Sequence, residues 1–175
     1  PRAIYRHLAE QYPGIETERR GQILHEAARL SSMVGDYSSA QYFGEKFKGE
    51  LPEDHALGNN VASFMLQSLF TSGQHALVIQ VAGDVRDQYE LGDERRELAD
   101  ALLPMAYYAT KENESAAGPF DEYAETYKES SNRPMVLYHR ANNSLILGKM
   151  RTAAEQIEDF LKECPDTERF HQLAL

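Results

Sequence analysis

The segment His25-Glu26-Ala27-Ala28-Arg29 begins like the zinc-protease signature, in which two histidines one helical turn apart bind the metal. Arg29 stands where the second histidine would be needed, and a guanidinium group cannot bind zinc. The six histidines, at positions 7, 25, 55, 75, 139 and 171, include no pair at the ligand spacing of a helix. The sequence therefore predicts no metal site.

Other reactive groups also lack the neighbours that catalysis requires. The single cysteine, Cys164, has no histidine at local spacing, and the glycines are isolated from any Lys-Ser or Lys-Thr pair that would mark a phosphate-binding loop. Carboxylate pairs such as Glu53–Asp54 and Glu158–Asp159 fall on predicted turns and helix faces, where solvated charge is expected. We predict a chain that is not an enzyme, with no catalytic residue and no cofactor.

Charge and hydropathy narrow the class of partner. With 18 basic and 28 acidic residues the formal net charge is −10, which repels nucleic acid and disfavours an RNA-binding repeat. No run approaches the roughly 18 apolar residues of a membrane span, so membrane insertion is not expected. A single cysteine excludes an internal disulfide and leaves the compartment open, with the cytoplasm slightly favoured.

A repeated residue order organises the chain. Two, five, nine, twelve and seventeen residues after Gly35 the sequence has Tyr37, Ala40, Gly44, Phe47 and Pro52. The same offsets from Gly73 give His75, Val78, Ala82, Val85 and Glu90, and those from Gly148 give Met150, Ala153, Ile157, Phe160 and Pro165. This order predicts a helical hairpin: glycine ends the first helix, the small residue admits a close helix contact, and proline ends the second helix.

A degenerate copy is predicted between the second and third glycines, near Lys111. There the offsets give Ala116, Phe120, Tyr123 and Lys128. Pro104 lies inside the first helix of this copy, so we expect a kink or break after Leu103. The polar segment 113–119 is predicted to be its turn, with Pro119 at the first position of the second helix.

This layout resembles the tetratricopeptide repeat (TPR), with its small and aromatic residues around the turn, alanine in the second helix and terminal proline. The resemblance implies an all-α, right-handed superhelix (α-solenoid) of stacked antiparallel helix pairs. We place repeats at 21–54, 59–92, 97–131 and 134–167 of a single array over 1–175, with 1–20 ending a preceding repeat and 168–175 starting a following helix. The chain departs from the family in carrying Leu24, Ala62 and Leu137 where a tryptophan is frequent.

The resemblance also implies a concave wall built from the first helices, on which residues not needed for packing bind a partner. The expected partner-binding residues are Gln22, His25, Arg29, Asn60, Ser63, Phe64, Gln67, Phe70, Tyr108, Tyr138, His139 and Asn142. This mixed aromatic and amide surface favours a scaffold that holds a protein or an extended peptide. The alternatives are a structural spacer, a self-association module forming a homo-oligomer, or a regulatory segment of a larger multidomain protein.

Overall fold

The computed structural model describes residues 7, 14–52, 57–88 and 93–163, and these residues form helices and turns without a strand. The predicted following helix, 168–175, lies outside the described residues. The predicted end of a preceding repeat, 1–20, lies mostly outside them, and its last residues, from Thr17 onward, form the start of the first described helix.

Eight helices with comparable lengths make up the described part of the chain. They are α1 (Thr17–Met33), α2 (Tyr37–Glu50), α3 (Gly58–Thr71), α4 (His75–Gln88), α5 (Glu94–Ala109), α6 (Asn113–Thr126), α7 (Arg133–Ile146) and α8 (Met150–Glu163). The chain divides into two compact units, Pro1–Tyr89 and Glu90–Leu175. Unit 1 packs the hairpins α1–α2 and α3–α4 against each other, and unit 2 does the same with α5–α6 and α7–α8. The prediction of an all-α fold of stacked helix pairs is confirmed.

Each hairpin turn contains one residue in the left-handed backbone region. Positive φ angles occur at Gly35 (75°), Gly73 (76°), Lys111 (65°) and Gly148 (71°). In the first turn the amide of Asp36 donates to the carbonyl of Ser31 at 2.9 Å, and that of Gly35 donates to Ser32 at 3.0 Å. The other three turns repeat both bonds, which form the Schellman arrangement that ends a helix. The degenerate turn therefore lies at Lys111, near the place that the repeated offsets indicated. The prediction that segment 113–119 forms this turn is wrong, because helix α6 already begins at Asn113.

The expected break after Leu103 and the expected place of Pro119 at the first position of a helix are both wrong. Helix α5 continues through Pro104 to Ala109, and helix α6 already begins at Asn113, so Pro119 lies inside it. A proline removes one backbone hydrogen bond but leaves those of neighbouring residues intact. Residues 99–106 are all buried, so packing on every side holds α5 together across the missing bond.

The hairpin core follows the predicted offsets. Five residues after each left-handed position the side chains have no solvent exposure, at Ala40, Val78, Ala116 and Ala153. Twelve residues after it, Phe47, Val85, Tyr123 and Phe160 are at most 3% exposed. The small residues permit close contact between the helices, and the large ones fill the layer beside them.

A buried arginine joins the two helices of the first and last hairpins. Arg20 donates from Nε to Glu50 at 2.7 Å, and Arg133 donates from Nε to Glu163 at 2.6 Å. Both pairs link a residue fifteen before the turn glycine to one fifteen after it. A hydrogen bond from Arg133 holds the pKa of the Glu163 carboxyl below its usual value.

Candidate functional site

The predicted partner-binding residues lie on first helices in both units. In unit 1, Gln22, His25 and Arg29 lie on α1, while Asn60, Ser63, Phe64, Gln67 and Phe70 lie on α3. In unit 2, Tyr108 lies on α5, while Tyr138, His139 and Asn142 lie on α7.

Unit 1 has a pocket of about 230 Å³ between α1 and α3, beside the turn that follows α1. Three predicted residues line it: Arg29, Phe64 and Gln67. Four further residues complete the lining, and they are Ser32, Met33, Tyr37 and Thr71. We call this site the α1–α3 pocket. It combines two aromatic rings and a thioether with hydroxyl and amide groups.

The charged group of the α1–α3 pocket is already paired. Arg29 donates from Nε and Nη2 to the carboxylate of Glu26 at distances of 2.8 to 3.2 Å, while its Nη1 lies 3.0 Å from Met33 Sδ. The bond from Arg29 holds the pKa of Glu26 below its usual value. The guanidinium group is thus fixed along the pocket wall with its charge compensated by Glu26.

The ring of His25 contacts Phe64, one of the residues that line the α1–α3 pocket. The imidazole and the Phe64 ring are 5.5 Å apart between centroids, and burial is the main cause that lowers the pKa of His25. Its Nδ1 also lies 3.5 Å from Glu26, which acts in the opposite direction. The imidazole of His25 thus packs against Phe64, which is a residue of the pocket lining.

The remaining predicted residues of unit 1 lie outside the pocket lining. Gln22 is exposed and donates to Glu18 within the same helix, at the long distance of 3.5 Å. Asn60 is exposed, Ser63 is half-buried, and Phe70 contacts the His75 ring across the turn with 5.2 Å between centroids. The contact of Phe70 joins the two helices of its own hairpin, so packing accounts for its ring.

In unit 2 three of the predicted residues form an aromatic cluster. The ring of His139 lies 5.3 Å from the rings of both Tyr108 and Tyr138, and Tyr138 also lies 6.2 Å from buried Phe160. Burial lowers the pKa of His139. Asn142 is half-buried on α7, three residues after His139 in the sequence.

The sequence interpretation missed four lining residues of the α1–α3 pocket. Met33 follows Arg29 by one helical turn and is 71% exposed. In the sequence its only distinguishing feature is that it is an apolar residue just before the turn. Tyr37 lies two residues after the turn glycine in the repeated order, and we did not assign it to binding. Ser32 and Thr71 had no distinguishing feature in the sequence. These side chains converge because the ends of α1 and α3 meet.

Metal sites and membrane spans are both absent from the described part of the chain. No group of three or more His, Cys, Asp or Glu side chains is placed to hold a metal ion there. No helix in the described ranges is long and apolar enough to cross a membrane.

Comparisons with known proteins place the fold. No family model matches the chain, and no curated protein matches it. The crystal structure of the apo form of RapI is similar over 99% of this chain and 51% of its own, with a TM-score of 0.80 and 10% identity. The chain thus spans about half the length of RapI.

A second similar structure comes from Podosopora anserina, a putative kinesin light chain with nearly identical TPR-like repeats. The similarity covers 96% of this chain and 87% of that one, with a TM-score of 0.67 and 17% identity. A form of that protein with one substitution has a TM-score of 0.65 and 18% identity over 88% of this chain and 79% of its own. The chain therefore has the fold of a tetratricopeptide-type helical repeat protein.

Proposed function

We propose that this chain is a non-catalytic scaffold that binds a partner protein or peptide along its first helices, in a concave groove of the TPR kind. The observation that carries the proposal is the α1–α3 pocket, where Arg29, Phe64 and Gln67 converge on one cavity. Repeat proteins bury each hairpin against its neighbours, so first-helix side chains not used in packing are free for recognition.

The size of the pocket favours part of a peptide over a free small molecule. Its volume of about 230 Å³ lies below the roughly 300–1,000 Å³ of small-molecule sites. The exposed side-chain amide of Gln67 offers a donor group (NH2) and an acceptor group (C=O), which match the two polar groups of a peptide bond. An extended chain can therefore bind by one inserted side chain and by its backbone.

The aromatic cluster of unit 2 supports a second contact surface. Tyr108, Tyr138 and His139 are half-buried, so each presents part of its ring to solvent. Aromatic side chains with a polar edge are enriched at protein interfaces because they add contact area at low entropic cost. We include Asn142 as a candidate partner of a bound backbone.

The test is a pull-down from the native lysate with the whole chain as bait. A Phe64→Ala/Tyr138→Ala/Asn142→Ala variant is compared with a Tyr42→Ala control, which removes an exposed ring from the second helix α2. We expect a discrete partner that the wild type and the control capture and the triple variant loses, with all three giving the same circular dichroism. Equal capture by all three would refute the groove assignment.

Self-association is the second candidate function, and one observation favours it. Leu145, Ile146 and Met150 form an exposed apolar group around the last turn, and burying it in a second copy would stabilise a homo-oligomer. Sedimentation equilibrium over a dilution series separates the two functions. A mass that stays monomeric at all concentrations excludes self-association, and a mass that falls on dilution supports it.

A further inference from the structure

The α1–α3 pocket has a single charged side chain in its lining, that of Arg29. Nε and Nη2 of Arg29 are hydrogen-bonded to Glu26, which is not part of the lining. A charged group entering the pocket would lose hydration and meet no uncompensated opposite charge. The charge distribution therefore selects an uncharged occupant.

The walls of the pocket select the size and polarity of that occupant. Phe64 and Tyr37 contribute rings, and Met33 contributes a flexible thioether that remains 71% exposed. Val34, the next residue, is also largely exposed. An apolar side chain seated here would cover these groups, and methionine adapts its shape to such a ligand.

We infer that the α1–α3 pocket takes one large, uncharged apolar side chain, such as leucine, methionine or phenylalanine, from an extended peptide. This inference rests on the proposed function and names the chemistry of its anchor. Arg29, whose charge is compensated by Glu26 outside the lining, offers no attraction that would offset the desolvation of a charged side chain. Gln67 at the rim receives the polar backbone next to the anchor.

The inference is tested on the whole chain by nuclear magnetic resonance of its five methionine methyl groups. The probes are N-acetyl-leucine amide, N-acetyl-glutamic acid α-amide and N-acetyl-lysine amide. We expect the leucine probe to shift the resonance of Met33 and to leave that of Met150, a methionine with comparable exposure in unit 2, in place. The charged probes should bind at least about tenfold more weakly than the leucine probe.

A blocking variant supplies the matched control. Thr71 is exposed and ends α3 at the pocket, so Thr71→Trp fills the cavity without removing a core contact. We expect the response of Met33 to the leucine probe to fall about tenfold in this variant, with the fold checked by circular dichroism.

The wild-type titration alone decides the inference. The inference is overturned if the leucine probe does not shift the Met33 resonance, or if the charged probes shift it equally. If Met33 responds selectively while the pull-down captures no partner, the pocket stands and the proposed function fails. If the pull-down captures a partner but the Met33 resonance does not shift, the inference about the pocket is refuted and the proposed function stands.

Discussion

Two glycines of helix α2 provide the sharpest test of how unit 1 packs. A Cβ atom added at Gly44 would lie 2.4 Å from both Cγ and Sδ of Met65 in α3, whereas one added at Gly49 would meet nothing within 4 Å. Met65 is itself buried, so its side chain cannot move away into solvent. Gly44 therefore permits the contact between α2 and α3.

The expected magnitudes follow from these distances. Replacing a helical glycine with alanine gains up to about 1 kcal/mol of helix stability, and Gly49→Ala should show this gain in full. At Gly44 the same gain is outweighed by overpacking, which costs about 1–3 kcal/mol. We expect Gly44→Ala to be about 2 kcal/mol less stable than Gly49→Ala.

Urea unfolding followed by far-ultraviolet circular dichroism measures both variants. Adding Met65→Ala to Gly44→Ala should cost less than Met65→Ala alone, because the new methyl group occupies part of the vacated space. The reasoning is refuted if Gly44→Ala is as stable as Gly49→Ala, or if the two changes at positions 44 and 65 are additive.

Three further predictions concern single side chains. Lys111→Gly should stabilise unit 2 by about 1 kcal/mol in urea unfolding, because glycine adopts the left-handed conformation of Lys111 without steric cost. Tyr127→Phe should cost about 1–3 kcal/mol in the same assay, since its hydroxyl donates to buried Asp100 at 2.6 Å. The pKa of Glu163 is lowered in the fold by Arg133, so this carboxylate stabilises the fold above its unfolded pKa and loses that effect as pH falls through the folded pKa. Glu163→Gln should therefore reduce the acid dependence of the urea midpoint, and an unchanged pH profile would contradict this.

The repeat could be predicted from sequence because each offset has a local physical cause. The offsets located the third copy near Lys111 even though glycine is absent there, whereas the polar composition of segment 113–119 wrongly indicated a turn in what is the start of helix α6. The prediction of a break at Pro104 was wrong because the rule that proline interrupts a helix considers that helix alone. In the fold, burial of residues 99–106 holds α5 together. Local propensity was overridden by tertiary packing.

The candidate site was predictable only in part. Arg29, Phe64 and Gln67 were expected from the resemblance, and the structure places them on one pocket. Met33 and Thr71 join that lining from two different helices and are more than thirty residues apart in the sequence, so no short spacing could indicate that they line the same pocket.

The buried arginine pairs have a consequence for local motion. Arg20–Glu50 and Arg133–Glu163 fasten the open ends of the first and last hairpins, opposite the turns that already fix the other ends. The matching position of the second hairpin is Gly58, which has no side chain to form such a bond. Helix ends fray first, and amide hydrogen exchange reports that fraying. The amide protons at the open end of the second hairpin should therefore exchange sooner than the amide protons at the open ends of the first and last hairpins.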